Sequence, residues 1–114
     1  MALGPYTAGM TDFIKVASAS DIPDPGKQLF DVDDRMVAVF HVGGAFYCLD
    51  DVCTHDGGPL AEGELTGYQI ACPRHGARFD IRNGKALLMP ATEDTVSHEV
   101  KVEAGEVYVK LRDA

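Results

Sequence analysis

At 114 residues the chain has room for one domain with a single modest core. Its formal net charge of -8, from 18 acidic against 10 basic residues, argues against nucleic acid, whose binding by counterion release needs a basic face. A basic protein surface fits that charge better, and a composition of 46% hydrophobic and 25% charged residues is that of an ordinary globular chain rather than a disordered one.

Residues 1–11 mix Gly, Pro and Thr without periodicity and read as a loose tail, with Met10 an alternative start. They have neither a basic stretch nor an apolar one of the signal-peptide kind, and no apolar run reaches membrane-spanning length, so a cytoplasmic protein with no membrane contact is expected. A single domain is expected over 12–112. Residues 13–16 form a first strand, and residues 18–27, with two Pro and a Gly, a loop in which Ser20 and Asp21 could cap one helical turn. Residues 27–32 form a second strand, and Asp33-Asp34 is turn chemistry. In residues 35–42, Met36, Ala38, Phe40 and Val42 alternate with Arg35, Val37, Val39 and His41. Both sets are largely apolar, which predicts a strand near the centre. Gly43-Gly44 is a two-residue hairpin signal, returning antiparallel through residues 45–49.

Further on, residues 68–72 alternate as a strand, and residues 77–81 and 85–88 make a hairpin cornered at Asn83-Gly84. Residues 89–95, around Pro90, connect to a closing hairpin of residues 96–102 and 106–111 about Ala104-Gly105, with Val100 and Val102 facing Val107, Val109 and Leu111. Eight or nine short strands and no helix beyond one turn predict an all-β domain, a small antiparallel sandwich or barrel.

Between these strands lie two mixed pairs of soft ligands, Cys53-x-His55 and Cys72-x-x-His75, separated by residues 56–71. A thiolate and an imidazole at such gaps can chelate from one loop, with hairpins bringing the two loops together. A structural zinc, a catalytic zinc or mononuclear iron, and a 2Fe-2S cluster all compete for this set. Zinc fingers usually pair Cys with Cys and His with His, whereas one Cys and one His in each pair suits a dinuclear site with two cysteines on one iron and two histidines on the other. The third cysteine, Cys48, lies on an apolar strand, so no internal disulfide framework is available and a buried, inert thiol is expected.

The run Cys53-Thr54-His55 with Gly57, Gly58 and Leu60, then Gly63, Cys72-Pro73-Arg74-His75-Gly76, Phe79 and Asp80, resembles the Rieske-type ferredoxins and the Rieske domains of ring-hydroxylating oxygenases. The resemblance extends over about Phe13 to Leu111. It implies stacked antiparallel sheets with a small cluster-binding subdomain of two hairpin loops, about residues 50–82. It also implies one 2Fe-2S cluster per chain, with Cys53 and Cys72 on the inner iron and His55 and His75 as outer, exposed ligands. Gly57, Gly58 and Gly76 would let the loops approach the sulfides closely enough for backbone N–H groups to donate, with Pro59 stiffening the first tip. Gly58 and Arg74 stand where relatives from cytochrome bc complexes carry a disulfide, and Ala77 and Phe79 where those relatives carry hydroxyl donors to sulfur. Fewer donors stabilise the added electron less, which predicts a potential near roughly -150 mV, at the low end for such centres.

The resemblance further implies a non-enzymatic one-electron carrier, monomeric alone, between a flavin-dependent ferredoxin reductase and a terminal oxygenase. A small Rieske-like subunit of a multi-subunit reductase such as assimilatory nitrite reductase is the alternative, and a zinc-stabilised interaction module a third. Asp50, Asp51, Asp56, Glu62 and Glu64 make the first loop acidic, while Arg74, Arg78, Arg82 and Lys85 outnumber Asp80 in the second. From this split Arg74 is expected to pair with Asp56 or Glu62 in place of the disulfide. His41 and His98 read as packed strand histidines, and Tyr47, Tyr68 and Tyr108 as sheet aromatics.

Overall fold

The computed structural model describes residues 13–51, 60–73, 76–89 and 93–112. The described residues form ten strands: β1 (Ile14–Ser18), β2 (Gly26–Val32), β3 (Arg35–Val42), β4 (Ala45–Asp50), β5 (Leu65–Thr66), β6 (Gln69–Ala71), β7 (Arg78–Asp80), β8 (Ala86–Leu88), β9 (Ser97–Glu103) and β10 (Glu106–Lys110). The fold is all-β. Every pairing is antiparallel, in a six-stranded sheet of order β1-β10-β9-β4-β3-β2 and a four-stranded sheet of order β5-β6-β7-β8. The strand count exceeds the eight or nine expected partly because β5, two residues long, is too short to show a period.

The connections follow their turn residues. Asp33 and Asp34 (φ 52° and 65°), Gly43 and Gly44 (63° and 85°), and Ala104 and Gly105 (52° and 79°) all take positive φ, the geometry that matches the twist of a two-residue hairpin. The Asp24 carboxylate accepts the N–H groups of Gly43 and Gly44 at 3.0 and 2.7 Å, fastening the β3–β4 tip to the loop before β2. In that loop Ser20 and Asp21 lie inside a 3-10 turn, Ala19–Asp21, whose N-cap is Ser18. Asp21 caps it from within: its carboxylate reaches back and accepts the Ser18 N–H at 3.1 Å. In the closing hairpin Val107 pairs with Val102 and Val109 with Val100, as the alternation predicts.

Strand β3 is an inner strand, with the edge strand β2 beyond it, and it lies between two cores. Its two apolar faces follow from this, because β3 and β4 form the wall between those cores. Ala38, Phe40 and Val42, with Leu49 of β4, pack against the small sheet through Ile70, Phe79, Ile81, Leu60 and Cys72. Val37 and Val39, with Cys48 of β4, pack instead against Val107 and Val109 of β10, Val32 and Ile22. A strand covered on both sides loses the polar alternation that usually marks a surface sheet.

Candidate metal centre

The small sheet exists to present one turn. Strand β6 ends at Ala71 and β7 begins at Arg78, and the turn between them opens with Cys72. The Cys72 N–H donates to the Ala77 carbonyl at 2.6 Å, and the Gly76 N–H donates to the Cys72 carbonyl at 3.0 Å. Gly76 sits at φ 77°, a conformation open to glycine at little cost. Its N–H closes the turn by satisfying the turn's own first carbonyl.

Cys72 is buried, packed with Ala77 and Phe79, both fully buried, and with Leu60 from the end of the first motif. The cross-strand register places Phe79 opposite Ile70, directing both into this core. Leu60 in turn is held by Asp51, whose Oδ1 accepts the N–H groups of Leu60 and Ala61 at 2.8 and 2.7 Å. The two motif-bearing segments thus meet at Leu60, Cys72, Ala77 and Phe79. Cys53, His55, Gly57, Gly58, Pro59, Arg74 and His75 lie outside the described residues, as does the expected pairing of Arg74 with Asp56 or Glu62.

The acidic first loop is less uniform than its composition implies. Asp51 is buried in the clasp just described, a role sequence reasoning missed although an aspartate before a loop is a frequent acceptor for backbone N–H groups. Asp50 bonds Arg35 and His98 within the large sheet. In the second loop Arg82 is neutralised by Asp80, with Nε–Oδ1 and Nη2–Oδ2 both 3.0 Å, and lies 4.5 Å over the Tyr68 ring. Hydrogen bonding from Arg82 outweighs partial burial and holds the Asp80 carboxyl below the usual carboxylate range. Glu62 and Glu64 remain exposed, as does Lys85, while Arg78 is half-buried.

The bystanders behave as their sequence contexts suggest. Cys48 is buried, and desolvation, aided by the nearby Asp50 charge, pushes its thiol far above the normal range, so it stays protonated and unreactive. His41 stacks on Phe46 with ring centroids 3.9 Å apart and bonds the Ile22 carbonyl through Nδ1 at 2.8 Å. Tyr47 and Tyr68 meet edge to face at 6.1 Å.

The scaffold is that of a small all-β domain whose second sheet seals the Cys72 thiol, the opening residue of the second Cys/His motif, at its base. A family model described as the Rieske 2Fe-2S domain matches residues 12–104. The ferredoxin component of naphthalene 1,2-dioxygenase/salicylate 5-hydroxylase systems from a Ralstonia species is 36% identical over 100 residues, 88% of this chain and 96% of that protein. The 3-phenylpropionate/cinnamic acid dioxygenase ferredoxin subunit of Escherichia coli is 35% identical over 102 residues, 89% of this chain and 95% of that protein. Among solved structures, the ferredoxin of carbazole 1,9a-dioxygenase from Nocardioides aromaticivorans superposes with a TM-score of 0.86 at 27% identity, covering 90% of this chain and all of that one. A ferredoxin solved in complex with reduced oxygenase in carbazole 1,9a-dioxygenase gives 0.80 at 39% identity, over 85% of this chain and 91% of that one. The chain belongs to the Rieske 2Fe-2S family, among its ferredoxins. It is an electron carrier with one 2Fe-2S cluster and not itself an enzyme.

Proposed function

We propose that the protein passes single electrons from a flavin-dependent reductase to a terminal ring-hydroxylating oxygenase, using a cluster held by Cys53 and Cys72 through sulfur and by His55 and His75 through imidazole nitrogen. The observation that carries this is the convergence of the two motif segments in one buried cluster, where Leu60 packs with Cys72, Ala77 and Phe79. The donor set fits the group: two thiolates and two neutral imidazoles balance a 2Fe-2S cluster whose two irons are ligated unequally. Such a cluster supplies reversible one-electron chemistry. Gly57, Gly58, Pro59 and Gly76 would let the loops approach the cluster, and the buried Leu60, Ala77 and Phe79 would exclude water from it.

The ferredoxin of carbazole 1,9a-dioxygenase has been solved bound to its oxygenase, which supports an oxygenase as the downstream partner. The acidic surface favours partners that present basic residues around the docking site. The domain spans 12–112 with its cluster-binding part at about 50–82, acts as a monomer when unbound and works in the cytoplasm. No helix among the described residues is long and apolar enough to cross a membrane.

The test is anaerobic stopped-flow mixing of the purified red-brown protein with a flavin reductase and NADH, then with an oxygenase. Reduction and reoxidation at catalytic rates are expected, with Cys53→Ser, Cys72→Ser, His55→Ala and His75→Ala each abolishing the cluster spectrum. Colourless protein containing zinc, or a full cluster spectrum in any of these variants, would overturn the assignment.

A further inference from the structure

We infer that Asp51 is a positioning residue for the cluster, a carboxylate clasp that ties together the two ends of the segment carrying Cys53 and His55. The inference rests on the ligand role proposed for that segment. The chain leaves at Asp51 and returns at Leu60, and one oxygen joins the two points: Oδ1 of Asp51 accepts the Leu60 N–H at 2.8 Å and the Ala61 N–H at 2.7 Å. Asp51 is 9% exposed and Leu60 fully buried, so removing the acceptor strands the Leu60 N–H away from water. Bonds from N–H groups to a carboxylate are roughly twice as strong as neutral ones.

Both halves of the clasp are fixed from behind. On the outgoing side the Asp51 N–H donates to the Met36 carbonyl at 3.0 Å and the Asp50 N–H to the Val96 carbonyl at 2.9 Å, joining this point to β3 and to the segment entering β9. On the returning side Leu60 packs in the core that holds Cys72 and Ala77, and its carbonyl accepts the Gly63 N–H at 2.9 Å. The clasp therefore couples the large sheet to the floor of the small one at the start of the first ligand segment. Tying a loop's ends lowers the entropy lost when its ligands engage, and it fixes ligand orientation. Asp51 thus governs how long the cluster stays bound and the electronic signature of its reduced form.

The test uses cluster-loaded protein. Asp51→Ala removes the acceptor, Asp51→Asn retains an oxygen for both donors, and Val109→Ala weakens the opposite core without touching the clasp. With a chelator present, Asp51→Ala should lose visible absorbance roughly tenfold faster than the parent and show an altered electron paramagnetic resonance spectrum when reduced, while Asp51→Asn stays within about twofold. Val109→Ala should lower the thermal midpoint yet keep the parental resonance spectrum and bleaching rate. Parental bleaching and resonance in Asp51→Ala, or bleaching no faster than in Val109→Ala, would overturn the inference. Should Asp51→Ala not accumulate, Asp51→Glu, which carries its carboxylate on a longer stem, should bleach at an intermediate rate with a shifted resonance spectrum, and parental behaviour in both would overturn it equally. A parent protein without any cluster would instead sink the ligand assignment.

Discussion

The Asp50 carboxylate grips Arg35 with two parallel bonds, Nε to Oδ1 at 2.9 Å and Nη2 to Oδ2 at 3.0 Å. The same Oδ1 meets His98 Nε2 at 2.7 Å, while Arg35 Nη1 donates to the Arg112 carbonyl at 2.8 Å. The Arg112 N–H donates to His98 Nδ1 at 2.9 Å, which makes Nδ1 an acceptor, places the ring proton on Nε2 and leaves the imidazole neutral. Strands β3, β4 and β9 and the closing segment are all fastened at the carboxylate that precedes Asp51. The clasp on the ligand segment consequently springs from a point with little freedom to move.

Arg35→Met tests that anchor. The methionine preserves the apolar stem but leaves a carboxylate only 16% exposed to be satisfied by His98 alone. A destabilisation of about 2 kcal/mol is expected, read from chemical unfolding of the cluster-loaded protein, with the visible spectrum unchanged. A loss below about 0.5 kcal/mol would mean that solvent screens the pair as it does at an open surface.

The same network sets an acid limit in two stages. Burial, the leading effect, holds the His98 pKa below its ordinary 6.5 despite the Asp50 contact. The unfolded chain therefore binds a proton below about pH 6.5 that the folded one refuses, so stability falls as pH drops through that region. For Asp50, burial raises the pKa, but bonds from Arg35 and His98 outweigh it and bring the pKa below 3.8. A second loss of stability follows as pH falls from 3.8 through the folded value. His98→Asn should flatten the first stage and leave the second, as measured by thermal midpoints between pH 8 and 3. An undiminished decline near pH 6.5 would assign that stage to another group.

Ala77 and Phe79 are fully buried beside Cys72, where a hydroxyl would have a sulfur within its neighbourhood. Spectroelectrochemical titration of the parent should give a midpoint near roughly -150 mV, with Ala77→Ser and Phe79→Tyr each shifting it upward by adding a donor that favours the reduced form. A parental midpoint well above about 0 mV would refute the link between these two side chains and a low potential.

How far the sequence could be read depended on how local each cause was. Hairpins at Asp33-Asp34, Gly43-Gly44 and Ala104-Gly105 were legible because two adjacent residues decide the turn. So was the inert burial of Cys48, which needs only an apolar strand around it. Two apolar faces marked β3 as covered on both sides but could not say by what, and here two separate cores supply the cover. The Cys72 turn was visible as a motif, but the use of the Gly76 N–H within it depends on turn closure. Asp51 and Asp50 are neighbours with the same side chain, one clasping Leu60 and the other bonding Arg35 and His98. Opposite side-chain directions along an extended chain separate them, and composition, which merges them into an acidic loop, cannot.

Gly63 should tolerate no side chain. A Cβ placed there overlaps the Ala71 carbonyl oxygen and comes within 2.8 Å of its carbon and 3.2 Å of the Leu60 oxygen. All three are backbone atoms and cannot swing aside. The Ala71 N–H also bonds the Glu64 carbonyl at 3.0 Å, so yielding at Ala71 pulls apart the end of β6 directly before Cys72. Gly67 offers the comparison: nothing lies within 4 Å of its added Cβ, and only its φ of +58° penalises a substitution. Gly67→Ala should cost about 1 kcal/mol through backbone strain alone and keep its iron. Gly63→Ala should cost about 2 to 4 kcal/mol and purify with less iron per chain, since the strand that delivers Cys72 must shift to admit the methyl group. Equal thermal midpoints and iron contents in the two variants would show that the approach of Gly63 to Ala71 does not hold the second motif in place.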